Sequence, residues 1–273
     1  DINHFDIPLA KRTYLNNPNS ILIKKLLIFS PFLFFIFSIA ALRLIGNMKL
    51  DDLKVTAKGI DIGPNSIECE YEEAMSQPDT ILKIIDAENE GCDAAVIDCM
   101  GDPGLKGARE CVSIPVVGPC ETAMHYASML GHKFTVLTVL ERTKPLIENL
   151  SKIYGVSSKL ASATSVDIPV LELEKDLDYT LKQMTNKAIQ TIEKDNADVI
   201  IFGCTGLFGC AEALQNKLKE DGYNVPVIDP IPLAVNSAYV LAKLKLSQSK
   251  KCYPYPPEKG MVGFEKPKLK AVN

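Results

Sequence analysis

Two stretches of the chain repeat one pattern: Asp93-Ala-Ala-Val-Ile-Asp-Cys99-Met-Gly101 and Asp198-Val-Ile-Ile-Phe-Gly-Cys204-Thr-Gly206. In each, an Asp stands six residues before a Cys that ends an apolar run, and a Gly follows two residues later. An apolar run this short and β-branched reads as a buried parallel strand, and the Gly as a permissive turn behind it. Each strand would then deliver a thiol to the carboxyl edge of a sheet. The repetition continues downstream, in Ile114-Pro-Val-Val-Gly-Pro119 and Val225-Pro-Val-Ile-Asp-Pro230, each leading into an apolar segment. Upstream, Ile81 to Glu90 and Ala188 to Asp195 both carry helix-like apolar spacing. A unit of this length recurring once predicts two similar α/β halves rather than a solenoid.

The remaining expectations follow from that unit. Leu53 to Ile60 reads as a strand, Glu68 to Ala74 as an acidic helix start, and residues 79 to 90 as a helix. Asp102-Pro103 resembles an N-cap followed by proline at the first helical position, which predicts a helix to about Glu110. Further along, Lys133 to Val139 and Val199 to Cys204 are strands, Lys144 to Tyr154 and Tyr179 to Lys194 helices, and the Lys- and Pro-rich end from Ser247 a surface tail. The expected fold is α/β, with two pseudosymmetric Rossmann-like halves built on parallel sheets and the active site in the cleft between them. Residues 48–116 with 223–273 are assigned to the first half and 117–222 to the second.

At 273 residues with a formal net charge of −4 and dispersed cations, the chain gives no sign of a nucleic-acid partner. Its eight cysteines are too sparse for a disulfide scaffold and show no Cys-x-x-Cys spacing, and three scattered histidines suggest no metal site. Reduced thiols in a cytoplasmic enzyme are the simplest account. The first 47 residues fit it poorly. Leu26 to Ile45 is an apolar block whose first seventeen residues carry no charge, close to the lower limit for spanning a bilayer. Three readings stand open: a membrane anchor through residues 26–45, a buried or irregular first helix, or non-native sequence ahead of Met48.

Two thiols at matched strand ends suggest acid and base on opposite faces of one carbon. A thiol near a helix N-terminus ionises more readily, so one could remove a proton as the other delivers one, inverting a stereocentre without a cofactor. Backbone amides at the two Gly turns could hold the oxygen of the resulting enolate.

At this point the residues resemble a known group. Cys99-Met-Gly-Asp-Pro-Gly-Leu105 and Gly203-Cys-Thr-Gly-Leu207 are similar to the paired motifs of the Asp/Glu/hydantoin racemase superfamily, and Gly63-Pro-Asn-Ser-Ile-Glu68 and Pro115 to His125 resemble its hydantoin and allantoin branch. The resemblance implies a cofactor-independent two-base mechanism with Cys99 and Cys204 as the opposed acid and base, acting on a small molecule such as a 5-substituted hydantoin. It also implies Met100, Gly101, Pro119, Cys120, Thr138, Thr205 and Gly206 beside the substrate. Asn17 and Ser20 join them if Asn17-Pro-Asn-Ser20 is the family's first loop after a strand at Arg12 to Leu15. A homo-oligomer is expected. Competing readings are an aspartate- or glutamate-type racemase, a decarboxylase or cis-trans isomerase of the same fold, and a membrane-tethered ligand-binding protein without catalysis.

Overall fold

The computed structural model describes residues 24–30, 52–173, 175–207 and 209–263. In chain order the elements are β1 (Lys24–Ser30), β2 (Leu53–Gly59), α1 (Glu70–Asn89), β3 (Ala94–Ile97), α2 (Leu105–Cys111), β4 (Val116–Val117), α3 (Pro119–Leu130) and β5 (Phe134–Thr138). Then follow α4 (Lys144–Ile153), β6 (Leu160–Ser165), α5 (Leu177–Asp195), β7 (Val199–Phe202), α6 (Ala211–Glu220), β8 (Val227–Ile228) and α7 (Pro230–Leu244).

The strands form two parallel sheets of the same topology, β2-β1-β3-β4 and β6-β5-β7-β8. Each of the repeated residues has the same task in both halves. The leading Asp accepts a backbone N–H at the start of the neighbouring strand: Lys25 to Asp93 at 2.8 Å, and Lys133 to Asp198 at 2.9 Å. The same two residues return a backbone bond, Asp93 N–H to the Lys25 carbonyl and Asp198 N–H to that of Lys133. The first prolines of the Pro-Val phrase accept from the thiol-bearing strands, Ala95 to Pro115 and Ile200 to Pro226, both at 3.0 Å. The second prolines open α3 and α7, where a missing N–H costs no helical bond. The repeat in the text is therefore a repeat of register.

Both sheets are covered on two faces, as their uniformly apolar strands require. In the first, Leu26, Ile28, Ala94 and Val96 pack on Ile231, Ala234, Val235 and Ala238 of α7. The opposite face, with Ala95 and Ile97, meets Ile84 and Ile85 of α1 and Ala108 of α2. In the second, Phe134, Val136, Val199 and Ile201 pack on Met124 and Ala127 of α3 and Ile147 of α4, while Leu137, Ile200 and Phe202 face α5 and α6. Thus α3, which leaves the first sheet, covers the second, and α7, which leaves the second, covers the first. The halves exchange helices.

Several expectations change. The sheet places Val227–Ile228 in the second half, because β8 pairs with β7; the second half therefore runs past 222. The apolar block opens as β1, an interior strand between β2 and β3, with Leu26, Leu27 and Ile28 buried. Residues 31–45, Arg12 to Leu15, Asn17 and Ser20 lie outside the described residues. No helix among the described residues is long and apolar enough to cross a membrane. The two expected helical pieces before residue 90 are one helix, α1, which continues through Pro78. The helix expected from Asp102 begins at Leu105 instead, after Gly104 at φ 73°. Finally, the apolar segment after Pro230 is a helix of fifteen residues.

Candidate active site

The thiols of Cys99 and Cys204 stand two residues beyond β3 and β7, at the carboxyl edges of the two sheets, and line one cavity between them. Met100, Gly101, Thr138 and Thr205 line it too, with Ile67, Val139, Thr143, Leu146, Ile147 and Gly203 completing the wall. As it stands the cavity holds about 30 Å³, well below the roughly 150 Å³ of a cavity that takes up benzene, so a ring-sized ligand would enter only as the wall gives way.

The two thiols are held alike. The Gly101 N–H points to Cys99 Sγ at 3.4 Å and the Gly206 N–H to Cys204 Sγ at 3.3 Å. These donors favour the thiolate, but burial outweighs them. Cys99 is raised well above the ordinary thiol value, and Cys204 is pushed up to about 12. This differs from the expectation that helix N-termini would lower them. The next α-helices start only at Leu105 and Ala211; Cys204 is followed directly by the short 3-10 turn Thr205–Leu207, whose backbone N–H groups favour the thiolate, and burial still outweighs them.

Thr205 does more than stand beside the second thiol. Its hydroxyl donates to the Asp98 carbonyl at 3.2 Å, tying one half to the other. The Thr138 hydroxyl pairs with Thr143 Oγ1 at 2.7 Å, and since Thr143 donates to the Leu140 carbonyl, Thr138 is the donor between them. Gly206 supports its thiol from behind and does not form the wall. Pro119 and Cys120 lie away from the cavity: both are buried in the first turn of α3, with Cys120 in the core beside Met100 and Met124.

Three carboxyl groups around this site escaped the sequence reading. Asp102, at φ 49°, turns its side chain from its own helix to the N-terminus of α3, where it accepts from the N–H groups of Cys120 at 3.0 Å and Glu121 at 2.9 Å. The Tyr154 hydroxyl donates to it at 2.6 Å. Burial still pushes its carboxyl up to about 7. Glu73 of α1 lies against the Cα of Gly101, where a methyl group would sit 3.0 Å from Oε2. Asp98 immediately precedes the first thiol. Glu73 Oε2 and Asp98 Oδ2 are buried without a hydrogen-bond partner, and burial raises both carboxyls to about 7. Only a position next to the repeated Cys hinted at Asp98; for Glu73, an acidic residue in the first turn of a helix, the commonplace explanation is the helix dipole.

An α/β enzyme with paired sheets and two thiols lining one cavity at their carboxyl edges is the class these observations define. The Asp/Glu/Hydantoin racemase family model matches residues 46–238, and the chain belongs to that family. It is 38% identical to a hydantoin racemase of Pseudomonas sp. (strain NS671), over 78% of this chain and 84% of that protein. A hydantoin racemase of Rhizobium meliloti is 37% identical, over 74% and 82%. Among solved structures, allantoin racemase from Klebsiella pneumoniae superposes with a TM-score of 0.82 at 28% identity, covering 88% of this chain and 96% of that one. The chain is thus an isomerase of the racemase class.

Proposed function

We propose that the protein racemises a 5-substituted hydantoin or a related cyclic ureide such as allantoin, by proton transfer between two cysteines and without a cofactor. The observation that carries this reading is the matched pair of thiols lining one cavity, each with a Gly N–H on its sulfur. In one direction the Cys99 thiolate takes the proton from the carbon next to the carbonyl, and the Cys204 thiol delivers a proton to the opposite face; the reverse direction exchanges the roles. Backbone amides at the turns supply dipoles for the enolate oxygen. No charged side chain is among the wall residues named above, which suits a neutral ring better than a dicarboxylate. Arg109, the arginine nearest the first motif, is committed to Glu121 and to the Val116 carbonyl. That commitment weighs against an aspartate or glutamate racemase.

The test is incubation of one enantiomer of a 5-alkylhydantoin in deuterium oxide, following optical rotation and deuterium at the stereocentre beside an enzyme-free control. Loss of rotation with deuterium incorporation is expected. Cys99→Ser and Cys204→Ser should each lower the rate by about two orders of magnitude or more; full activity in either variant removes the two-thiol mechanism.

A further inference from the structure

A two-thiol racemase has a proton-accounting problem. After one turnover the thiol and the thiolate have changed places, so a second substrate of the same hand meets the wrong protonation state. The proton on Cys99 must leave, and one must return to Cys204. Neither sulfur trades its proton readily with water, since both are buried and hold it well above the ordinary thiol value, whereas a carboxyl that titrates near 7 releases it far more easily.

Beside each sulfur stands a buried acid with an idle oxygen. Glu73 is 8% exposed and Asp98 1%, and the unpartnered atoms are Glu73 Oε2 and Asp98 Oδ2. Glu73 Oε2 lies against Gly101, whose N–H bonds Cys99 Sγ, and Asp98 is tied through its backbone carbonyl to Thr205, the neighbour of Cys204. A buried carboxyl oxygen with no donor is costly, and a native fold that keeps two at such positions calls for an explanation.

We infer that Glu73 and Asp98 are the proton partners of Cys99 and Cys204, resetting the thiols between turnovers; this rests on the two-thiol reading above. In the reset, the Cys99 S–H bond breaks and an O–H bond forms on the Glu73 carboxylate, the electron pair staying on sulfur. The Asp98 O–H bond breaks and its proton joins the Cys204 thiolate, the pair staying on oxygen. Exchange of both carboxyls with water then restores the starting charges. Both groups hold their protons to about 7, which suits them to give and take at neutral pH. Around Glu73 the titratable groups are Glu70 of the same helix, Asp102, Cys99 and Cys120, with Gln77 bonded to the carboxyl; around Asp98 they are Asp229 and Cys204, while the Thr205 hydroxyl bonds its backbone carbonyl.

The experiment compares single-turnover racemisation, with enzyme in excess over one enantiomer of 5-isopropylhydantoin, with steady-state kcat under substrate excess. Glu73→Gln and Asp98→Asn keep shape and lose the proton site. The expected result is a steady-state kcat lower by about tenfold or more, with a single-turnover rate within about twofold of the wild type. Equal loss in both regimes would mean a structural role and overturn the inference, as would no loss in either. Should Asp98→Asn fail to fold, as circular dichroism would reveal, Glu73→Gln decides alone. Full activity in Cys99→Ser or Cys204→Ser sinks the two-thiol reading and this inference together. Inactive serine variants beside an unaltered Glu73→Gln sink the inference alone.

Discussion

At the scale of single residues, the departures from symmetry are as informative as the repeat. Gly118 and Asp229 occupy matching positions ahead of the prolines that open α3 and α7, with nearly the same backbone, φ −93° and ψ 129° against φ −81° and ψ 117°. Asp229 caps its own helix, accepting from Ile231 N–H at 3.2 Å. Gly118 has no side chain to offer, and the carboxylate of Asp102 fills that place: a Cβ on Gly118 would lie 2.5 Å from Asp102 Cγ. The position matching Asp102 in the other motif is Leu207. One cap therefore has two sources, and the two differences compensate each other. Asp102→Ala is expected to destabilise by about 2 kcal/mol or more, since it strips the α3 cap and leaves the Tyr154 hydroxyl unpaired. Gly118→Asp alone should also destabilise, by collision with Asp102. Combined with Asp102→Ala, it should recover about 1 kcal/mol by copying the arrangement of the other half, as urea unfolding would show. The sequence displayed every one of these residues, but not the partner: Asp102 before Pro103 has the grammar of a local cap, and only the fold shows which helix it serves.

At the scale of elements, strands were more legible than their surroundings. The thiol-bearing strands combine a short β-branched run with a Gly turn, and both signals are local. β1 was harder, because a strand buried on both faces and a membrane segment have the same composition; what separates them is sheet pairing with residues about thirty and seventy positions away. The sequence reads as two helical pieces here, and a proline usually interrupts a helix, yet α1 runs on through Pro78 with Ile84, Ile85 and Ala87 buried beyond it. The interior place of β1 makes a direct prediction. Ile28 is fully buried, and Ile28→Ala should cost about 2–5 kcal/mol in urea unfolding, a loss no loosely attached N-terminal segment would produce. The segment that follows α7 is also tied down. Gln248 bonds both to and from the backbone of Val116, at 3.0 and 3.1 Å, closing the exposed side of edge strand β4.

At the scale of the whole molecule, the buried acids shape stability. Glu73 and Asp98 keep their protons to about 7 in the folded protein, whereas in the unfolded chain they ionise at ordinary carboxylate values. Between those limits the unfolded state binds fewer protons, so the contribution of these groups is fully present below the ordinary carboxylate range and is lost as pH rises toward 7. The urea midpoint of the wild type should therefore fall between about pH 5 and pH 8 more steeply than that of Glu73→Gln. An unchanged slope would place the Glu73 titration elsewhere.

The exchange of α3 and α7 has a mechanical meaning as well. Each sheet is roofed by a helix whose chain begins in the other, so prying the halves apart would strip a face from both cores at once. A cleft built this way resists wide hinge opening. For the cyclic substrate proposed above, the give would come from the wall itself, from side chains such as Ile67 and Leu146. On the proposed two-thiol mechanism the architecture acts as a clasp that fixes the gauge between acid and base, on which a reaction needing one proton on each face of a single carbon would depend.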